Sequence, residues 1–135
     1  MKLFIDTGAF IALTDTSDEN HQAAKNFYLK IKEKGIKLIT TNFVVCETMN
    51  YLRAKVSHNV AVAFREGLRK STLFEIIDIT QSMDDTAFRI FKQYADKDFS
   101  FTDCTSFAAM QFLRLRKAFA FDKHFEQFDS FERLP

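Results

Sequence analysis

Of four carboxylates, Asp6 and Asp122 each end a short apolar run, while Glu47 and Asp103 stand near the expected starts of helices. Two ionised carboxylates about 5 Å apart repel by roughly 3 kcal/mol at an effective dielectric of 20, so a cluster of them takes up protons or recruits a cation. An all-oxygen ligand set suits Mg²⁺ or Mn²⁺ better than zinc. Such an ion orients and deprotonates water and offsets charge on a leaving oxygen, which is what phosphodiester hydrolysis requires. Asp96 and Asp98 read as solvated loop acids. His124, two residues after Asp122, reads as a polar surface residue, with proton transfer as its alternative role.

These acids need elements that bring them together. Residues 2–5 form a short apolar run ended by Asp6-Thr7-Gly8, which predicts a buried strand and then a turn. A helix is expected from a Ser17 cap to Gly35, with Ala23, Ala24, Phe27, Tyr28 and Ile31 at helical spacing. Residues 37–40 predict a second strand, followed after Asn42 by a helix carrying Glu47 in its first or second turn. A helix over 59–70, a strand over 74–77 and a helix from Ser82 come next. Thr102 is a candidate cap for a helix with Asp103 in its first turn. A last apolar run, 118–121, ends at Asp122 as the first ends at Asp6, and Asp122 can cap a short helix over 123–128. The Phe125, Phe128 and Phe131 spacing reads as packing rather than base stacking.

The order β-α-β-α-α-β-α-α-β predicts an α/β fold, a short parallel sheet with helices on both faces. Ligands of such sheets bind outside the carboxyl ends of the strands, which is where Asp6 and Asp122 fall and where the helices bearing Glu47 and Asp103 begin.

The composition agrees. The chain has 135 residues, 47% hydrophobic and 27% charged, with 19 Lys and Arg against 18 Asp and Glu, so it is expected to be one globular domain over 1–135 and not a polybasic nucleic-acid glove. Lysines 25, 30, 32, 34 and 37 and the arginine clusters at 65–70 and 114–117 read as solvated helix faces. Three glycines supply too few turns for a many-stranded sandwich or barrel. No apolar run approaches the roughly 20 residues of a bilayer span, and Asp6 interrupts the first apolar stretch where a secretory signal would stay apolar, so a cytoplasmic protein is expected. Cys46 and Cys104 have neither disulfide-framework nor zinc spacing and are expected to be buried.

Four segments in this order resemble the PIN domain, specifically the small VapC-like toxin ribonucleases, over nearly the full length. The segments are Phe4-Ile5-Asp6-Thr7-Gly8-Ala9-Phe10, Val44-Val45-Cys46-Glu47-Thr48-Met49-Asn50, Ser100-Phe101-Thr102-Asp103-Cys104-Thr105-Ser106-Phe107-Ala108-Ala109-Met110 and Ala118-Phe119-Ala120-Phe121-Asp122-Lys123-His124-Phe125. The resemblance implies an α/β/α sandwich with a parallel sheet of four to five strands and a Mg²⁺- or Mn²⁺-dependent endoribonuclease. It further implies a homodimer, an RNA substrate and a small antitoxin partner whose tail occupies the active-site groove. Asp6 and Asp103 would hold the metal, Glu47 and Asp122 would complete the quartet and help activate water, and Thr7 would hydrogen-bond in the first turn. Two departures touch its support: Ala120 stands where many members have threonine, and 115–117 lacks a glycine often found there.

Rival chemistries are weaker. Asp6-Thr7-Gly8 matches the signature of retroviral-type aspartic proteases, but those are all-β and glycine-rich. A phosphoaspartyl phosphatase needs a second aspartate where Gly8 stands. The alternative from another class is a non-catalytic PIN-like module that binds RNA or protein. Its disadvantage is that crowding four acids without a metal costs stability for no structural return.

Overall fold

Strand β1 (Lys2–Ile5) buries Leu3, Phe4 and Ile5 on both faces, as the interior strand of a parallel sheet must. The computed structural model describes residues 1–135. After β1 come α1 (Thr7–Thr14), α2 (His21–Glu33), β2 (Lys37–Thr41), α3 (Asn42–Lys55), α4 (His58–Lys70), β3 (Phe74–Ile77), α5 (Gln81–Gln93), α6 (Phe101–Phe112), β4 (Lys117–Phe119), a 3₁₀ turn (Lys123–Glu126) and β5 (Glu132–Leu134). All strands are parallel, in the order β3-β2-β1-β4-β5. The α/β class and parallel sheet agree with the sequence reading, and five strands, one more than the residue pattern predicts, fall within the four to five that the resemblance implies.

The chain steps outward from β1 to β2 to β3, then returns to the other side of β1 to form β4. Right-handed crossovers therefore put α1 to α4 over one face and α5 and α6 over the other. Contacts fit that layering. On the first side α1 packs on α2 and α3, and α3 on α4; on the second α5 packs on α6. Phe27 of α2 meets Phe119 of β4 edge-on, centroids 4.8 Å apart, whereas Phe107 of α6 stacks on Phe128 at 4.8 Å and meets Phe125 edge-on at 5.2 Å. Phe107, Phe125, Phe128 and Phe131 are all buried, in keeping with packing rather than base stacking.

Several local expectations are corrected. The turn expected at Asp6-Thr7-Gly8 is the start of α1, with Asp6 at the N-cap position. Ser17 does not cap α2, which begins four residues later with Asn20 before it. The helices expected at 59 and 82 each begin one residue earlier, capped by the Ser57 and Thr80 hydroxyls. Strand β5 has no counterpart in the sequence reading. Cys104 is buried as expected, but Cys46 is exposed. Gly35, at φ 66°, does close the second helix, in the left-handed region glycine favours. Where 115–117 lacks a glycine, the chain leaves α6 through Arg114 at φ 57°.

The candidate active site at the sheet's carboxyl edge

The point where strand order reverses lies between β1 and β4, and open parallel sheets bind ligands in the crevice there. Asp6 follows β1 directly, its N–H donating to the Phe119 carbonyl of β4 at 3.2 Å. Asp122 lies beyond β4 on the same side of the crevice. Glu47 comes from α3, which leaves β2 without a loop because the Thr41 hydroxyl accepts the Val44 N–H at 3.1 Å. Asp103 sits in the first turn of α6. The helix is capped by Ser100 rather than Thr102: Asp103 N–H donates to Ser100 Oγ and Ser100 N–H donates to Asp103 Oδ2, both at 3.0 Å. This reciprocal cap fixes the Asp103 carboxylate.

The four acids share one electrostatic neighbourhood. Asp6, only 4% exposed, has its pKa pushed from 3.8 up to about 8. Burial is the main cause and the Asp103 charge the next; the Thr7 backbone N–H opposes the rise, and Glu47 and Asp122 add to it. Burial likewise raises the pKa of Asp103, against the lowering effect of the Ser100 N–H and the His124 hydrogen bond. Glu47 and Asp122 are half-buried. Asp122 also caps the 3₁₀ turn, its Oδ1 accepting the His124 N–H at 2.9 Å. Asp96 and Asp98 are exposed, as expected of loop acids.

Three buried side-chain oxygens have no hydrogen-bond partner: Asp6 Oδ1, Thr7 Oγ1 and Ser106 Oγ. Buried polar atoms are rarely left in this state, and here two of the three are adjacent residues at the end of β1. The hydrogen bond expected of the Thr7 hydroxyl is thus not made. An unpartnered buried carboxylate oxygen, ringed by three further acids, fits a hard divalent cation, which would compensate both the desolvation and the like-charge repulsion.

His124 is the residue the sequence reading undervalued. Its Nδ1 lies 2.9 Å from Asp103 Oδ2 and 3.2 Å from Asp122 Oδ1, and the three side chains offer atoms all within 4.8 Å of one another. The available signal was its place two residues after a capping aspartate, but its link to Asp103 crosses 21 residues and has no local signature.

Beside Glu47 a groove of about 480 Å³ is lined by Asn42, Phe43, Cys46, Asn50 and Thr102. A more apolar cavity of about 460 Å³, bounded by Phe10, Leu13, Tyr28, Phe64 and Phe74, contains none of the four acids. No helix is long and apolar enough to cross a membrane.

The chain is similar to known proteins over most of its length. Residues 3–130 match the PIN domain family. The 23S rRNA-specific endonuclease VapC20 of Mycobacterium tuberculosis is 31% identical over 123 residues, 91% of each protein. The crystal structure of that organism's VapC20, described as a sarcin-ricin loop cleaving toxin, superposes with a TM-score of 0.87 at 28% identity, covering 94% of this chain and 95% of the other. VapBC2 from Rickettsia felis bound to a promoter DNA fragment gives 0.73 at 10% identity, over 98% and 97% of the two chains. FitAcB from Neisseria gonorrhoeae gives 0.71 at 13%, over 100% and 97%. The last two likenesses bear on the fold alone.

Proposed function

The chain belongs to the PIN domain family, and on that premise we propose that it is a VapC-like endoribonuclease, the toxin of a toxin–antitoxin pair, hydrolysing RNA phosphodiester bonds with Mg²⁺ or Mn²⁺. The observation that carries this reading is the buried, unpartnered Asp6 Oδ1 with the carboxyl groups of Asp103, Glu47 and Asp122 around it. Asp6 and Asp103 would hold the ion, with Glu47 and Asp122 completing the acidic set. Bound there, a divalent ion lowers the pKa of water and offsets charge on the leaving oxygen.

The chain's own residues supply the rest. The Ser100 cap and His124 fix the Asp103 carboxylate. Glu47, half-buried at the head of the groove, is placed to accept a proton from an attacking water. Thr7 keeps a free hydroxyl beside Asp6, available to hydrogen-bond a substrate oxygen. The groove of Phe43, Asn42, Asn50 and Thr102 joins a ring face to amide and hydroxyl groups, the chemistry that holds an unstacked nucleotide.

Residues 1–135 are read as a single domain acting in the cytoplasm, neutralised by a small antitoxin protein. A homodimer is favoured by Phe88, Phe91 and Phe112, all about half exposed on α5 and α6. Light scattering of Phe88→Ser/Phe91→Ser should report monomer where wild type reports dimer.

The deciding experiment is cleavage of total cellular RNA and of 23S rRNA with Mn²⁺ or Mg²⁺. EDTA, Asp6→Asn and Asp103→Asn are the controls. Discrete products lost in all three are expected; identical products from wild type and variants would end the catalytic reading. No cleavage, with Mn²⁺ failing to raise the melting temperature, would favour the binding module.

A further inference from the structure

Deepening the metal-site reading, on which this rests, we propose that His124 is a positioning residue. It clamps Asp103 and Asp122 together and leaves Asp103 Oδ1 as the oxygen presented to the ion. Asp103 Oδ2 is already occupied: it accepts the Ser100 N–H at 3.0 Å and faces His124 Nδ1 at 2.9 Å. Asp122 Oδ1 accepts the His124 backbone N–H at 2.9 Å and lies 3.2 Å from the same ring nitrogen. Both neighbours of Nδ1 are carboxylate oxygens, which only accept, so the hydrogen is assigned to Nδ1 and is shared between them. One residue thereby ties the start of α6 to the segment after β4.

The imidazole itself is held. Its side chain is 15% exposed and lies edge-on to Phe99, centroids 5.4 Å apart, and Phe99 in turn meets Phe107 at 5.0 Å. The clamp is therefore seated against the aromatic core and does not swing with solvent. Two acids facing the same ion site repel each other and, unrestrained, turn their carboxylates apart. A shared N–H removes that freedom before any ion arrives and stops Oδ2 competing with Oδ1. Hydrogen bonds of this kind behind metal-binding carboxylates govern affinity without touching the metal. A ligand role for Nδ1 is the poorer fit, since its hydrogen already points into the two oxygens.

Side-chain geometry offers a clean test, because the amide nitrogen of asparagine falls near the position of histidine Nδ1, whereas that of glutamine falls near Nε2. Mn²⁺ binding is read by electron paramagnetic resonance, with melting curves in EDTA beside it. His124→Gln and His124→Ala should weaken Mn²⁺ binding by about 10–100-fold, while His124→Asn stays within about threefold of wild type. The apo proteins should melt cooperatively, and if His124→Ala does not, the similarly sized Asn and Gln variants decide. Equal affinity in all variants overturns the proposal. So does nitrogen hyperfine coupling in wild-type Mn²⁺ spectra that every variant loses, for that marks His124 as a ligand. Wild type and Asp6→Asn both failing to bind Mn²⁺ would instead remove the metal-site reading, and this role with it.

Discussion

Helix α6 begins in one kind of interior and continues into another. Its first turn carries Asp103, a buried acid with a raised pKa beside the unpartnered Asp6 oxygen. One turn further on, Phe107 is fully buried against the rings of Phe99, Phe125, Phe128 and Phe131. The first region carries an unfavourable crowding of acids that a proton or a cation relieves; the second holds the helix in place so that the crowding is not relieved by local rearrangement. The lesson is that the acids are tolerated because the phenylalanines beneath them leave α6 no alternative position.

The largest contrast comes from breaking each side in turn. Asp6→Asn is expected to abolish metal-dependent RNA cleavage yet melt at or above the wild-type temperature in EDTA above about pH 8, where it removes a buried charge. Phe107→Ala should cost about 3–5 kcal/mol by urea unfolding and lose activity only through lost fold. If Asp6→Asn destabilises the apo protein as Phe107→Ala does, the comparison fails.

Next in size is the pH dependence. Asp6 is protonated in the fold up to about pH 8, whereas in the unfolded chain it releases its proton near pH 4. The folded state therefore binds the extra proton between these values, and stability in EDTA should fall as pH rises through that window. Mn²⁺ displaces the proton, so its affinity should rise over the same range. Calorimetry from pH 5 to 8 checks both, and Asp6→Asn should flatten the first slope.

Ser100→Ala cuts at the junction of the two regions. Loss of the cap should cost about 1 kcal/mol and weaken Mn²⁺ binding as well, since the same turn orients Asp103. The smallest effect should lie outside both regions. Arg114→Gly, relieving a non-glycine residue at φ 57°, should stabilise the protein by up to about 1 kcal/mol with activity unchanged.

How far this was legible in the sequence depends on which forces leave a local trace. Amphipathic helices such as α4 and α5 declare themselves by period because one face is wet. Helix α1 does not: Thr7, Ala9, Phe10, Ile11 and Ala12 are all buried, so no polar face marks it, and Asp6 with Gly8 imitates a turn. Strand β5 is three residues, Glu132-Arg133-Leu134, held by pairing with β4 rather than by any apolar run. The Ser100 cap was readable, since Ser100 and Asp103 have capping-box spacing, but Thr102 offered a competing hydroxyl. The four acids could be named from local context. Their shared electrostatics, and the bridge made by His124, exist only once distant segments meet.

The crevice between β1 and β4 also has a consequence for the order of synthesis. Asp6 leaves the ribosome before the other three acids, but the strand that walls the other side of its crevice, and Asp122 beyond it, emerge after all six α-helices have been made. A chain translated only as far as β3 still lacks α6 and β4, and with them Asp103 and Asp122. For a protein proposed to cut RNA, the machinery translating it is thus shielded from a finished active site until almost the whole domain has been made.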